Sequence, residues 1–290
     1  MNDFPELQEL LNASGKKMSK GQKAIAEYLQ QDLEKAAFLT AQKLGEKVHV
    51  SESTVVRFAT WLGFDGYPEL QHALQEMIRQ KLTPVQRMEL SDSTQDPATL
   101  LQSVFKSDIA NLRNTMESLD VEVFTRISDT LYHAKRIFIM GIRSSAPLAQ
   151  FVGYYMSFLH PDVRIVTSGV NDVLEQIFHI GEGDVLMAIS FPRYSRRIVE
   201  AMRYAGERKA DCIAITDAST SPLAQHAQMC LYAKSGMAAF ADSLVAPMCL
   251  MNALVASVGM RQHNETSKSF QRLEDIWSQY RVYTEKENQE

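Results

Sequence analysis

Ser51, Ser53, Thr54 and Arg57 stand together at the front of the stretch VSESTVVRFATWLGFDGYPEL, residues 50–70. Three hydroxyls and a guanidinium opening an apolar-periodic run suit contact with phosphate oxygens and base edges. Small hydroxyl side chains let a helix end approach a surface closely, and the positive helix end favours phosphate. An arginine one turn further on can pair bidentately with guanine or clamp a phosphate. An ordinary capped helix uses the same residue types, so the surroundings must decide. Two more clusters suit a different ligand. Gly141-Ile142-Arg143-Ser144-Ser145 and Ser190-Phe191-Pro192-Arg193-Tyr194-Ser195-Arg196-Arg197 each follow a short apolar run and open a helical one. Exposed amides, hydroxyl donors and guanidinium groups together meet the needs of a phosphate dianion. Serines also cap helices well; the pairing of two such loops, one with three arginines, raises an anion site above that simpler reading.

The elements needed to hold these clusters can be read along the chain. Ser19 is placed to cap a helix over Lys20–Leu29, and Thr40 to cap a short one over Ala41–Glu46 with Leu44 inward. KVHV makes a tight connection, Ser51 caps the next helix with Glu52 in its first turn, and Gly63 ends it as a left-handed cap. Val55, Val56, Phe58, Ala59 and Leu62 are its expected buried side. Gly66 and Pro68 mark a turn into a helix from about Glu69 to Gln80. Two short helices joined by three or four residues have the helix-turn-helix layout, whose second helix enters the DNA major groove N-terminus first.

Residues 81–98 carry two prolines and a Ser/Asp/Thr/Gln run, as an interdomain linker does. Helical periodicity resumes over 99–116 and 121–134. Beyond it the rhythm changes: RIFIMG, VRIVT, DVLMAIS, DCIAITD and MCLYAKS are short continuous apolar runs alternating with helical segments. Such strands are buried on both faces, which predicts a doubly wound five-stranded parallel sheet, flavodoxin-like in order. The expected organisation is an all-α domain over 1–80, the linker over 81–98 and an α/β domain over 99–290. Ligands in such sheets sit outside the carboxyl ends of the strands, where both loops fall. Met237–Met260 reads as a core or dimer-contact helix, and Thr266–Tyr283 as a tail helix with one apolar stripe suited to docking.

Composition narrows the function classes. The chain has 290 residues, 45% hydrophobic and 22% charged, with net charge −5. These are the proportions of a globular chain, and its acidity argues against indiscriminate nucleic-acid binding but not against a local basic face. Residues 1–78 hold eight Lys/Arg against eleven Asp/Glu, yet Lys16, Lys17, Lys20 and Lys23 cluster, followed by Lys43, Lys47 and Arg57. No run approaches ~20 apolar residues, and the acidic opening MNDFPELQELL lacks the order of a secretion signal. A cytoplasmic location without membrane contact is expected. Cys212, Cys230 and Cys249 form no metal-ligand spacing and are expected to act as small core hydrophobes; no metal or cofactor is expected.

The whole chain resembles the RpiR-type family of bacterial transcriptional regulators, in which a helix-turn-helix domain precedes a SIS (sugar isomerase) phosphosugar-binding domain. The stretch at 50–70 carries the likeness, with its Arg-Phe pair, Leu-Gly-Phe turn and later Gly-Tyr-x-x-Leu. The SIS likeness is looser. That family's first loop reads Gly-x-Gly-x-Ser, and Gly141, Arg143 and Ser145 stand in those places. Its second reads Ser-x-Ser-Gly-x-Thr, and Ser190, Pro192, Arg193 and Ser195 stand there. The resemblance implies ligand hydroxyl roles for Ser145, Ser190 and Ser195. Pro192 and Arg193 depart from the pattern, removing one backbone N–H and one permissive glycine.

These readings converge on a regulator that binds a double-stranded DNA operator as a homodimer or homotetramer and is controlled by a small phosphosugar-like effector. Ser51, Glu52, Ser53, Thr54 and Arg57, with Lys43 and Lys47, are the expected DNA contacts. Gly141, Arg143, Ser144, Ser145, Ser190, Arg193 and Ser195 are the expected effector contacts. Asn171, Asp172 and Glu175 either face the ligand or serve a helix N-terminus. The main rival is a SIS-type sugar-phosphate isomerase with an accessory helical domain, which needs a positioned base that the loops do not evidently supply. A scaffolding module whose front helices bind protein is a second rival.

Overall fold

In the computed structural model the chain separates into two compact units, Met1–Ser93 and Thr94–Glu290. The structure describes residues 11, 18–78, 85, 88, 96–237, 241–261 and 263–283. Most of the expected linker, and Lys16 and Lys17 of the basic cluster, lie outside them.

The first unit is helical: α1 (Lys20–Gln31), α2 (Leu33–Ala36), α3 (Ala41–Lys47), α4 (Glu52–Trp61) and α5 (Tyr67–Ile78). Ser19 caps α1 through a capping box with Gln22, and the Thr40 hydroxyl accepts from the Lys43 amide at the start of α3. The core gathers Ile25, Leu29, Leu44, Val55, Phe58 and Leu74. Helix α4 ends in a Schellman motif: Gly63 has φ +100°, its amide donates to Thr60, and the Phe64 amide donates to Ala59. Helix α5 begins two residues earlier than the sequence reading placed it. Pro68 lies in its first turn, where the missing N–H costs nothing, so it opens the helix rather than shaping the turn before it.

The second unit opens with α6 (Pro97–Ser118), capped by Asp96, and α7 (Val121–His133), capped by Asp120. Five parallel strands follow: β1 (Arg136–Gly141), β2 (Val163–Val166), β3 (Asp184–Ile189), β4 (Asp211–Thr216) and β5 (Met229–Tyr232), ordered β2-β1-β3-β4-β5. Helices α8 (Ala146–Leu159), α9 (Val173–Gln176), α10 (Arg196–Glu207), α11 (Val245–Arg261) and α12 (His263–Gln279) complete it. Alternate strand residues serve opposite faces. Ile137, Ile139, Met187 and Ile213 pack with α7, α8 and α11, whereas Phe138, Met140, Leu186 and Cys212 pack with α10. Both faces are covered, hence the unbroken apolar runs.

At the amino end of the sheet Arg136 and Asp184 tie β1 to β3. Arg136 donates to both carboxylate oxygens, Nε at 2.9 Å and Nη2 at 2.5 Å, and the Gly181 amide donates at 2.8 Å. Burial pushes the Asp184 carboxyl up, but Arg136 and the Gly181 amide outweigh it and hold it below the usual range. Cys212 is buried, and burial pushes its thiol up to about 11. Cys230 is half-buried. Cys249 contradicts the reading of all three as core residues: it faces outward on α11. Among the described residues no helix is long and apolar enough to cross a membrane.

Candidate nucleic-acid interface and anion site

Helices α3 and α4 are joined by Val48, His49, Val50 and Ser51 in a turn that doubles back tightly. His49 takes φ +58°, and the Val50 amide donates to the Gly45 carbonyl at 2.9 Å. A Cβ on Gly45 would lie 2.7 Å from the Val50 carbonyl oxygen, a backbone atom that cannot swing aside. Gly45 thus sets how closely the turn folds onto α3, and with it the exposure of the front of α4. Helix α1 braces that front from the other side, since a Cβ on Gly21 would meet the Thr54 methyl at 3.2 Å.

On this support the predicted residues come together. The Ser51 hydroxyl bonds to those of Ser53 and Thr54, at 2.9 Å each, and Arg57 Nη2 donates to Thr54 Oγ1 at 3.3 Å. Ser51, Glu52, Ser53 and Arg57 are exposed and Thr54 half-buried. One expectation fails here: Ser51 occupies the cap position but its hydroxyl accepts no bond from a helix amide. The neighbouring hydroxyls have captured it. A second expectation fails at Val56, which is 39% exposed while Val55 is fully buried. Val56 lies three residues after Ser53 and four before exposed Thr60 and so shares the Ser53–Arg57 face. Its exposure could not be read from two adjacent valines, although the 3.6-residue period seats only one of them well. Lys43 and Lys47, one turn apart on α3, are exposed, as are Lys20 and Lys23 on α1.

The second cluster lies at the other end of the sheet from Asp184. Strands β1 and β3 are neighbours in register, Gly141 opposite Ile189, so the loops following them leave the same edge side by side. This is also where the strand order reverses, the crevice in which doubly wound sheets bind ligands. Gly141 closes β1, and a Cβ there would lie 2.5 Å from the Ser145 carbonyl oxygen. Ser145 and Ser190 are each only 4% exposed. The Ser190 hydroxyl accepts from the Ser195 amide at the 3.5 Å limit of a hydrogen bond. Ser195 opens α10 without a side-chain cap bond, and Ser144 and Arg143 are exposed in the first loop.

The loop backbones hold a feature absent from the residue types. Arg143 has φ +55° and Arg193 φ +66°, both left-handed. For a non-glycine residue that region costs about 1–2 kcal/mol. Glycine's conformation is therefore kept at both places where the likeness implied glycine, with arginine carried on it. Arg196 and Arg197 are otherwise engaged: both reach Glu200, and Arg197 also meets Asp172 at 3.4 Å. Asp172 and Glu175 form a capping box at α9, so of the two roles open to them the helix-end role is the one built. Beside the second loop Tyr194 donates to Asp217 at 2.7 Å, and Thr216 to Ser221 at 2.8 Å. Sequence reasoning passed over Asp217, although it stands at the C-terminal end of a strand, where such residues gather.

Residues 6–81 match the helix-turn-helix domain of the rpiR family, and residues 130–257 match the SIS domain. The chain belongs to the RpiR-type family of transcriptional regulators. Among its relatives are the HTH-type transcriptional regulators HexR of Pseudomonas aeruginosa, 29% identical over 221 residues (74% of each chain), and of Escherichia coli, 29% identical over 217 residues (74% of this chain, 73% of the other). The sugar isomerase domain of an RpiR transcription factor from Sphaerobacter thermophilus is 26% identical, with TM-score 0.58 over 61% of this chain and 98% of that one. The fold is also that of Vibrio vulnificus NanR complexed with ManNAc-6P, at 20% identity and TM-score 0.56 over 94% and 98% of the two chains. This RpiR-type chain thus joins a helix-turn-helix unit to a SIS unit, as a DNA-binding regulator does.

Proposed function

We propose that α4 reads an operator in the major groove and that a phosphorylated sugar or amino-sugar derivative, bound at the loops after β1 and β3, sets the affinity for it. The observation that carries the effector half is the pairing of Ser145 with Ser190, two nearly buried hydroxyls on neighbouring strand ends at the sheet's reversal point. A phosphate there gains hydroxyl donors and the amides opening α8 and α10. In the reading half, Ser51, Ser53 and Thr54 approach phosphates or base edges, and Arg57 pairs with guanine or a phosphate. Glu52 suits a cytosine amino group and Val56 a thymine methyl. Lys43 and Lys47 meet the backbone.

A cytoplasmic homodimer or homotetramer follows from the same logic, because one mildly acidic unit makes few phosphate contacts and two linked units match a palindromic site. Supporting it, the first fourteen residues of α6 bury no side chain among the described residues although Leu101, Phe105 and Ile109 recur every fourth position. Beside them an apolar groove of about 520 Å³, lined by Leu112, Met116, Phe124, Leu250 and the exposed Cys249, suits a second copy of the chain rather than an anion.

A sugar-phosphate panel tests the whole reading, with ManNAc-6P among its members because a structure of this fold holds it. At least one member is expected to raise the unfolding temperature and to change retention of a self-selected duplex in a gel-shift assay, both effects lost in Ser190→Ala. Appreciable turnover of a ketose or aldose phosphate, abolished by the same substitution, would instead make the protein an isomerase.

A further inference from the structure

Of the four arginines in the two loops, two are neutralised and two are not. Arg196 and Arg197 are held by Glu200 and Asp172. Arg143 and Arg193 are exposed, and among the described residues neither guanidinium meets a carboxylate or any hydrogen-bond acceptor. These same two sit in left-handed backbone, one in each loop, on adjacent strands. Glycine would relax both positions, so neither backbone conformation calls for arginine. Two exposed charges, carried at a conformational cost, stand on the two loops whose nearly buried serines, Ser145 and Ser190, offer hydroxyls to one phosphate.

Resting on the reading of these loops as a phosphosugar site, we propose that Arg143 and Arg193 form a second anion subsite, which makes the effector a sugar derivative with two anionic groups. Its phosphate occupies the serine hydroxyls and helix amides. Its second group, a carboxylate or another phosphate, is taken by the guanidiniums, whose planar forks match either bidentately. A neutral sugar end leaves both charges unsatisfied.

The test uses matched probes that differ at the second group: glucose 6-phosphate against 6-phosphogluconate, and fructose 6-phosphate against fructose 1,6-bisphosphate. Isothermal titration of the full-length protein is expected to show at least one doubly charged probe binding tenfold or more tighter than its partner. In the Arg143→Gly/Arg193→Gly double variant that preference falls below about threefold, and in Arg143→Lys/Arg193→Lys, which keeps the charges, most of it survives. The unfolding midpoint of the glycine variant is expected to equal or exceed that of the unsubstituted protein, which separates lost recognition from lost structure. Equal binding within both pairs, or a preference that persists in the glycine variant, overturns the second subsite while leaving the phosphosugar reading standing. Binding of none of the four probes overturns the second subsite, and failure of the wider sugar-phosphate panel as well overturns the phosphosugar reading.

Discussion

The front of α4 and the edge of the β1/β3 loops both gather hydroxyls and arginines at helix N-termini, yet they differ in where the left-handed backbone falls. Around α4 it falls on His49 (φ +58°) in the turn and on Gly63 (φ +100°), which closes the helix, while Gly45 admits the Val50 carbonyl; none of these carries a proposed DNA contact. The arginine there, Arg57, rides on relaxed helix and is steadied by Thr54. At the sheet edge, Arg143 and Arg193 occupy left-handed positions themselves. A groove-reading helix needs shape first and charge second. A pocket for a small, strongly charged ligand gains more from charge even where the backbone resists it. Conformational strain of this kind gathers at ligand sites.

Substitutions can break each side of this contrast. The largest effect is expected on the sheet side, from Asp184→Ala, which strands Arg136 and the Gly181 amide; losing one partner of a buried pair costs about 3–5 kcal/mol, read by urea denaturation. The same carboxylate gives a pH signature. Its folded pKa is depressed, so its stabilisation is present above the ordinary carboxylate value and is lost as pH falls through the lower, folded one. Acid unfolding of the SIS unit should therefore come at higher pH in Asp184→Asn, which has no such carboxylate to ionise. On the helical side, Gly45→Ala forces the Val50 carbonyl away and should cost about 1–3 kcal/mol, as overpacking does, with operator binding lost in step.

Smaller changes sharpen the contrast. Arg57→Ala should weaken operator binding by about 1–3 kcal/mol in a fluorescence anisotropy titration without moving the unfolding midpoint. Arg193→Gly should do the reverse to the fold, stabilising it by up to about 1 kcal/mol in thermal denaturation, because a strained φ is relieved. Smallest of all, Ser51→Ala should change stability by less than about 0.5 kcal/mol, since a working cap would be worth about 1 and this hydroxyl caps nothing. Its effect should appear in DNA affinity alone.

How much the residues disclosed depended on what fixes each feature. The strands were legible because burial on both faces leaves only apolar residues, and RIFIMG and DVLMAI say so directly. The order β2-β1-β3-β4-β5 is the flavodoxin-like one expected of these strands, right-handed crossovers leaving few alternatives in a doubly wound sheet. The helix-turn-helix was legible because its turn and caps use residue types with narrow conformational preferences. Legibility failed where choices were nearly balanced. Periodicity could not separate Val55 from Val56, and Pro68 is as much at home in a first helical turn as in the turn before it. Competition among Ser51, Ser53 and Thr54 for one another's oxygens is settled only in three dimensions. The left-handed backbone at Arg143 and Arg193 was hidden because loop closure, not residue type, sets the sign of φ there.

Coupling between an anion at one edge of the sheet and α4 is read by the affinity of the protein for a duplex it has itself selected from a random pool, with and without saturating phosphosugar, in the unsubstituted protein and in Ser145→Ala/Ser190→Ala. At least a tenfold change in affinity is expected for the unsubstituted protein and none for the variant. A phosphosugar that binds tightly at these serines yet leaves the affinity for DNA unaltered would contradict it.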